Sequence, residues 1–185
     1  MTKNPKKELL IKNALFLIDI QEKIINPIPN KDLITKNIKK LLSAYQILDK
    51  NIFLSEQNPL KLGTTINELI PKVAYKKIEK MEFSLAFRKD LFKELDNKNI
   101  INLIICGLET HICIQQSVLD FLGKGYKVIL IADAMGSRKN LDHEIALQRM
   151  VNKGAIITTT ESIIFELCRT SDREEFKEIR EIIKN

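Results

Sequence analysis

Cysteine and histidine are scarce in this chain. Its three cysteines, Cys106, Cys113 and Cys168, form no CxxC pair. That argues against a disulfide framework and against a zinc site. The two histidines, His111 and His143, are too few for a histidine-rich metal centre. No apolar run approaches the roughly 20 residues that span a bilayer. The opening "MTKNPKKELLIK" is basic but has no apolar stretch and no small-residue cleavage site. A cytoplasmic protein without a membrane partner is expected. The net charge is +6, yet there is no arginine-rich stripe and little aromatic interleaving. Lysines are scattered among Glu and Asp, so no nucleic-acid partner is expected. Three nucleotide or hydrolase signatures are missing as well. "GKGYK" ends a helix instead of opening one, so there is no P-loop; no GxGxxG follows a strand; and there is no GxSxG elbow. Neither a metal nor a cofactor is expected.

What is present is an ordinary globular composition, 44% hydrophobic and 29% charged. A length of 185 residues suits one domain over 1–185, with 1–12 as a loose N-terminal tail. "NALFLIDI", "IINLIICG" and "YKVILIADA" are continuous apolar runs, the pattern of strands buried on both faces. "NIFLS", the more polar "KVAYKKIEK" and "AIITTT" read as further strands. Between them lie helical patterns over 30–50, in "SLAFRKDLFKELDNKN" opened by Ser84, in "THICIQQSVLDFLGKG" and in "NLDHEIALQRMVNKG". "ESIIFELCR" and "DREEFKEIREIIK" close the chain as helices. Alternating strand and helix predicts an α/β domain of three layers (α/β/α) with a doubly wound, mainly parallel sheet of Rossmann-like form.

Ligands of such sheets bind beyond the carboxyl ends of the strands. That selects Asp19, residues 55–57, 80–83, 107–113 and 133–137. Cys106, inside "LIICG", and Cys168, beside Leu167, read as core. Cys113 lies in the first turn of a helix that follows a strand, where the helix terminus favours an anion. A thiol there is expected to have a lowered pKa. Position alone leaves Cys113 open between packing and nucleophile. Asp19 could equally be a turn residue, and Lys80 a solvated lysine. Together they place a nucleophile, a base and a cation at three adjacent strand ends, the set a covalent acyl-transfer site requires.

These residues sit in recognisable company. "LFLIDIQEK", "SEQNPLKLGTTINEL", "KMEFS", "CGLETHICIQQSVLDFLGKGYKVILIADAMGSR" and "GAIITTTESIIFEL" cover most of the chain from about Ala14 onward. With D-x-Q, K-x-x-F-S, G-x-x-T-x-x-C and D-A-x-x-S-R in order, the sequence resembles the isochorismatase-like cysteine hydrolases, in particular the small isochorismatase-domain subgroup. The resemblance implies an Asp–Lys–Cys triad of Asp19, Lys80 and Cys113. It also implies an oxyanion hole from the backbone N–H groups of Glu109 and Cys113, and a cis peptide at Leu108–Glu109. Homo-oligomers are expected on the same ground.

Two departures narrow the substrate. Relatives that act as nicotinamidases carry a metal site of one Asp and two histidines after the second strand. Here that stretch, "SEQNPLKLG", has no histidine. Hydrolysis of a vinyl ether does not need a cysteine nucleophile, so retention of Cys113 favours an amide-type bond in a small-molecule substrate. Gln21 is read as orienting substrate or a strand end. Glu56 and Gln57 are read as lining the pocket or forming a hydrogen-bonded turn, and Phe83 as a pocket wall or core. His111 either contacts substrate or, the better reading, faces solvent or a subunit partner. Ser137 and Arg138 are read as structural or interface residues. A vinyl-ether hydrolase and a catalytically idle oligomeric scaffold are the competing functions.

Overall fold

The structure, a computed structural model, describes residues 12–184. The expected loose tail over 1–12 lies outside these, apart from Lys12. The Lys12 carbonyl accepts the N–H groups of Ile101 and Asn102 at 3.1 and 3.0 Å.

Six strands form one sheet: β1 (Asn13–Ile18), β2 (Asn51–Gln57), β3 (Lys76–Lys80), β4 (Asn102–Leu108), β5 (Lys127–Gly136) and β6 (Ile156–Thr158). Their order is β3-β2-β1-β4-β5-β6. Every pairing is parallel. The α-helices longer than four residues are α1 (Lys31–Ile47), α2 (Lys89–Asn97), α3 (Gln115–Gly123), α4 (Asn140–Asn152), α5 (Thr160–Cys168) and α6 (Phe176–Lys184). The doubly wound three-layer fold is therefore as the strand and helix pattern predicts, with an all-parallel sheet.

The period of two along each strand divides the core between two layers. Leu15 and Leu17 of β1 and Leu54 of β2 pack with Ile38, Leu41, Ile164 and Ile179 on the side of α1, α5 and α6. Phe16, Ile18 and Phe53 face Leu91, Val118, Phe121 and Met150 on the side of α2, α3 and α4. Phe16 and Phe53 are register partners and stack with centroids 4.8 Å apart. Each such side chain, fully buried, contributes about 1.5–3 kcal/mol. This continuous apolar burial on both faces is why β1 and β4 carry no polar alternation.

Two helices start later than their sequence patterns imply. Ser84 caps only a 3₁₀ turn, Leu85–Phe87, by accepting the Ala86 N–H at 3.2 Å, and α2 begins at Lys89. The break comes because Ser117 Oγ accepts the Leu85 N–H at 2.9 Å and holds that turn against α3. The helix expected from Thr110 opens instead with a π-helical turn, Thr110–Ile114, and continues as α3 from Gln115.

The order places the switch of winding direction between β1 and β4, the place where a ligand crevice opens in such sheets. Asp19 leaves β1 there and Cys113 follows β4. Gly107 lets the two strands approach: at φ +139°, a Cβ on it would lie 2.2 Å from the Ile18 carbonyl oxygen.

Candidate active site

Asp19 leaves the end of β1 in a left-handed conformation, φ 53°, which a short polar side chain tolerates. Its backbone N–H still reaches the Ser55 carbonyl at 3.2 Å. The turn aims the carboxylate sideways over β2. There Ser55 Oγ donates to Asp19 Oδ1 at 2.6 Å, and Lys80 Nζ donates to Oδ2 at 2.7 Å. Lys80 also donates to Gln57 Oε1 at 2.8 Å. The Asp19 and Lys80 side chains are both wholly sealed from solvent.

Lys80 ends β3, which is not the neighbour of β1. The "three adjacent strand ends" expected from sequence are thus β3, β1 and β4 with β2 intervening. Ser55 and Gln57 of β2 bridge the gap. They share a strand face with Phe53, as period two requires. Gln57 is in turn held by Gln21, which accepts the Gln57 N–H at 2.7 Å. Gln21 Nε2 donates to the carbonyls of Gln57 at 3.0 Å and Gly63 at 2.6 Å. Gln21 and Gln57 therefore brace Lys80.

Glu56 points to the opposite sheet face. It accepts the Thr65 N–H and hydroxyl at 2.8 and 2.9 Å and pairs with Lys77 at 2.8 Å. Burial acts to raise its carboxyl, but the hydrogen bonds from Lys77 and Thr65 outweigh that and hold it below the usual range. It is a structural anchor and does not line the site. Phe83 stands half exposed, 52%, in the segment after β3, so it is not core. A hollow of about 270 Å³ opens over the Lys80 end, lined by Asn58, Pro59, Leu60, Met81 and Arg88. A larger groove, about 810 Å³, lies between α1 and α6, in the layer away from Cys113.

Cys113 comes from the other side of the switch point. Its thiol is nearly buried, 5% exposed, and lies close enough to Asp19 and Lys80 to feel both charges. The lowered thiol pKa expected from sequence is not found. Burial pushes the Cys113 thiol well above its ordinary value, Asp19 pushes it further, and Lys80 offsets only part of this. The sulfur therefore lies beside a buried ion pair, in surroundings that favour the thiol over the thiolate. The helix-terminus reasoning fails because the thiol sits among buried groups, where desolvation of the anion outweighs a backbone dipole.

The Leu108–Glu109 peptide is trans: among the described residues there is no cis bond. The chain turns from β4 into the cysteine segment through backbone dihedrals instead. Gly107 takes φ 139° and Glu109 takes φ 56°, ψ 59°. Ser117 Oγ donates to the Cys113 carbonyl at 2.7 Å, tying the π-helical turn to α3. His111, a quarter exposed, shares a hydrogen bond with Ser137 at 3.0 Å.

Ser55, Thr110, Ser117 and His143 also belong to the surroundings of this site. Ser55 was selected only by its strand-end position. Thr110 was selected in the same way and by the G-x-x-T-x-x-C pattern, whereas Ser117 and His143 carried no signal, because their partners Leu85 and Thr110 lie 32 and 33 residues away.

Residues 13–162 match the model of the Isochorismatase domain. "Isochorismatase family protein 1B" of Dictyostelium discoideum is 38% identical over 177 residues, 93% of this chain and 86% of that one. "Isochorismatase domain-containing protein 2A" of Mus musculus is 38% identical over 173 residues, covering 93% and 82%. Among solved structures, the MAR1 ribonuclease from Caenorhabditis elegans is similar with a TM-score of 0.89 at 32% identity, over 95% of this chain and 91% of that one. The YcaC product of Escherichia coli, an octameric hydrolase of unknown specificity, shares the fold at TM-score 0.81 and 19% identity, over 100% and 96%.

Proposed function

The chain belongs to the isochorismatase family of hydrolases, and from that premise we propose that it cleaves an amide-type carbonyl–nitrogen bond of a small molecule through a thioester on Cys113. The observation that carries this reading is the sealed Asp19–Lys80 pair, 2.7 Å apart, at the strand ends beside the nearly buried Cys113.

A neutral thiol needs its proton removed as it attacks, and Asp19 is the base in reach. As the Cys113 sulfur bonds to the substrate carbonyl carbon, the thiol proton passes to Asp19. The carbonyl oxygen takes the electron pair and is held by the backbone N–H groups of Glu109 and Cys113. Each such donor is worth about 3 kcal/mol in comparable sites. Collapse of this intermediate breaks the carbon–nitrogen bond, and Asp19 returns its proton to the leaving amine. Water then attacks the thioester and gives a proton to Asp19. The acid leaves, and the proton goes back to sulfur. Lys80 stays charged throughout and offsets the negative charge as it moves between carboxylate, sulfur and oxygen. A sealed Asp19–Lys80 pair and a nearly buried Cys113 suit a small substrate rather than a polymer. Assembly with copies of the same chain belongs to this reading, and Leu60, Leu141 and Ile145 offer exposed apolar surface for it.

The test is a panel of small primary and secondary amides, read by amine release for wild type and Cys113→Ala, with mass spectrometry of the quenched enzyme. Amine release with an acyl adduct on Cys113 is expected. Pyruvate release from isochorismate, retained by Cys113→Ala, would establish the ether-hydrolase alternative. Cleavage of RNA in place of amides would carry over the name of the worm relative, and inactivity throughout would favour an idle scaffold.

A further inference from the structure

Three consecutive side chains of the turn that carries Cys113 are each tied to one short segment. Glu109 Oε1 accepts from Arg138 Nε at 3.1 Å. Thr110 Oγ1 and His143 Nδ1 share a hydrogen bond of 2.9 Å. His111 Nδ1 and Ser137 Oγ share one of 3.0 Å. All three partners lie within residues 137–143, between the end of β5 and the first turn of α4.

This turn is one that needs holding. Glu109 is a long side chain in the left-handed region, φ 56°, which costs about 1–2 kcal/mol. The π-helical winding that follows is rare in proteins. Glu109 is also nearly buried, 8% exposed. Among the described residues Arg138 is the one hydrogen-bond donor to its carboxylate; the other oxygen, Oε2, is buried without a donor, 3.6 Å from His111 Nδ1. A buried carboxylate held by one donor is poised to swing toward water when that donor goes. Its backbone would move with it. At the next position, burial pushes His143 below the usual imidazole range, which favours the uncharged ring in its hydrogen bond with the Thr110 hydroxyl.

We propose that residues 137–143 form a three-point clamp on the turn bearing Cys113, with Ser137, Arg138 and His143 as positioning residues for acyl transfer; this rests on the reading of Cys113 as nucleophile. The clamp acts on the geometry of the turn from which the Glu109 and Cys113 N–H groups project, and not on the reactivity of the sulfur itself.

That division makes it testable with two probes. With p-nitrophenyl acetate, the sulfur–acetyl bond forms, the carbon–oxygen bond breaks, the thiol proton goes to Asp19 and nitrophenolate leaves. This reaction uses the oxyanion donors. In alkylation by iodoacetamide the sulfur bonds to an sp³ carbon as the carbon–iodine bond breaks, the thiol proton passes to solvent and iodide leaves, without use of the oxyanion donors. Both rates are read at Cys113 by mass spectrometry, with Cys113→Ala as the background. Arg138→Ala and His143→Ala should each slow acetylation by about 10- to 100-fold and leave alkylation within about twofold. His143→Asn, which keeps a hydrogen-bonding atom near Nδ1, should recover most of the acetylation rate. A ratio of acetylation to alkylation close to wild type in both alanine variants would overturn the clamp. So would a parallel loss of both reactions, the mark of a merely structural role. Arg138 is more than half exposed, so its variant is expected to fold whatever befalls His143→Ala. If the wild type itself shows no acetylation of Cys113, the nucleophile reading has failed first.

Discussion

Lys80 Nζ lies 2.7 Å from Asp19 Oδ2, and neither side chain reaches solvent. The pair is costly to bury and still more costly to break, because each partner alone is an uncompensated charge. Lys80→Met is therefore expected to destabilise the protein by about 3–5 kcal/mol. Adding Asp19→Asn, which removes the stranded charge, should restore part of that loss. Urea unfolding of the two single variants and the double variant measures the coupling.

The environment of Cys113 predicts a slow thiol. Between pH 7 and 9 the iodoacetamide rate at Cys113 should rise about tenfold per unit without a plateau, since the thiol titrates above its ordinary range. Asp19 raises that pKa, so Asp19→Asn should speed alkylation at a given pH. The same variant should abolish acyl transfer, because the base is gone. Opposite changes in the two rates are the expected signature; a plateau below pH 8 in wild type would show a thiolate at rest.

Glu56 predicts acid sensitivity away from the chemistry. Its folded-state pKa is depressed, so the stability it contributes is complete above the unfolded carboxyl value of about 4.3 and is lost as pH falls through the lower folded value. Glu56→Gln should cost about 1–2 kcal/mol at pH 7. The cost should shrink as wild type and variant are compared at pH 4 and then pH 3. Thermal unfolding across that range reads it.

Gly107 predicts a steric failure. Any Cβ there meets the Ile18 carbonyl oxygen at 2.2 Å, and φ is +139° as well. Gly107→Ala should destabilise by about 3 kcal/mol or more, or prevent folding. Gly125→Ala is the control: its φ is also positive, +85°, but no atom lies within 4 Å, so only the smaller backbone cost applies.

Much of the site was legible because each residue stands where a strand ends. "NALFLIDI" shows its strand by an unbroken apolar run and its exit by a charge, so Asp19 could be picked out before any fold was known. "LIICGLETHIC" shows the same for Cys113. Glu56 and Gln57 were harder, because adjacent strand residues face opposite ways. Only the register with β3 shows that Gln57 goes to Lys80 and Glu56 to Lys77. The turn after β4 differs from the sequence expectation in two respects. A trans Leu108–Glu109 peptide and a raised Cys113 thiol both follow from how Gly107 and Glu109 bend the backbone and how closely the layers seal around sulfur. Neither can be read from local composition.

The sequence by itself determined the three-layer parallel fold and the residue types at its strand ends, since periodicity and apolar run length act locally along the chain. Tertiary structure alone decided the strand order, and with it the bridge that Ser55 and Gln57 make between Asp19 and Lys80. It also decided that burial raises the Cys113 thiol, and that Ser137, Arg138 and His143 hydrogen-bond to its turn. These depend on distances between segments far apart in the chain, and on the dielectric of the space they enclose, which no local pattern encodes.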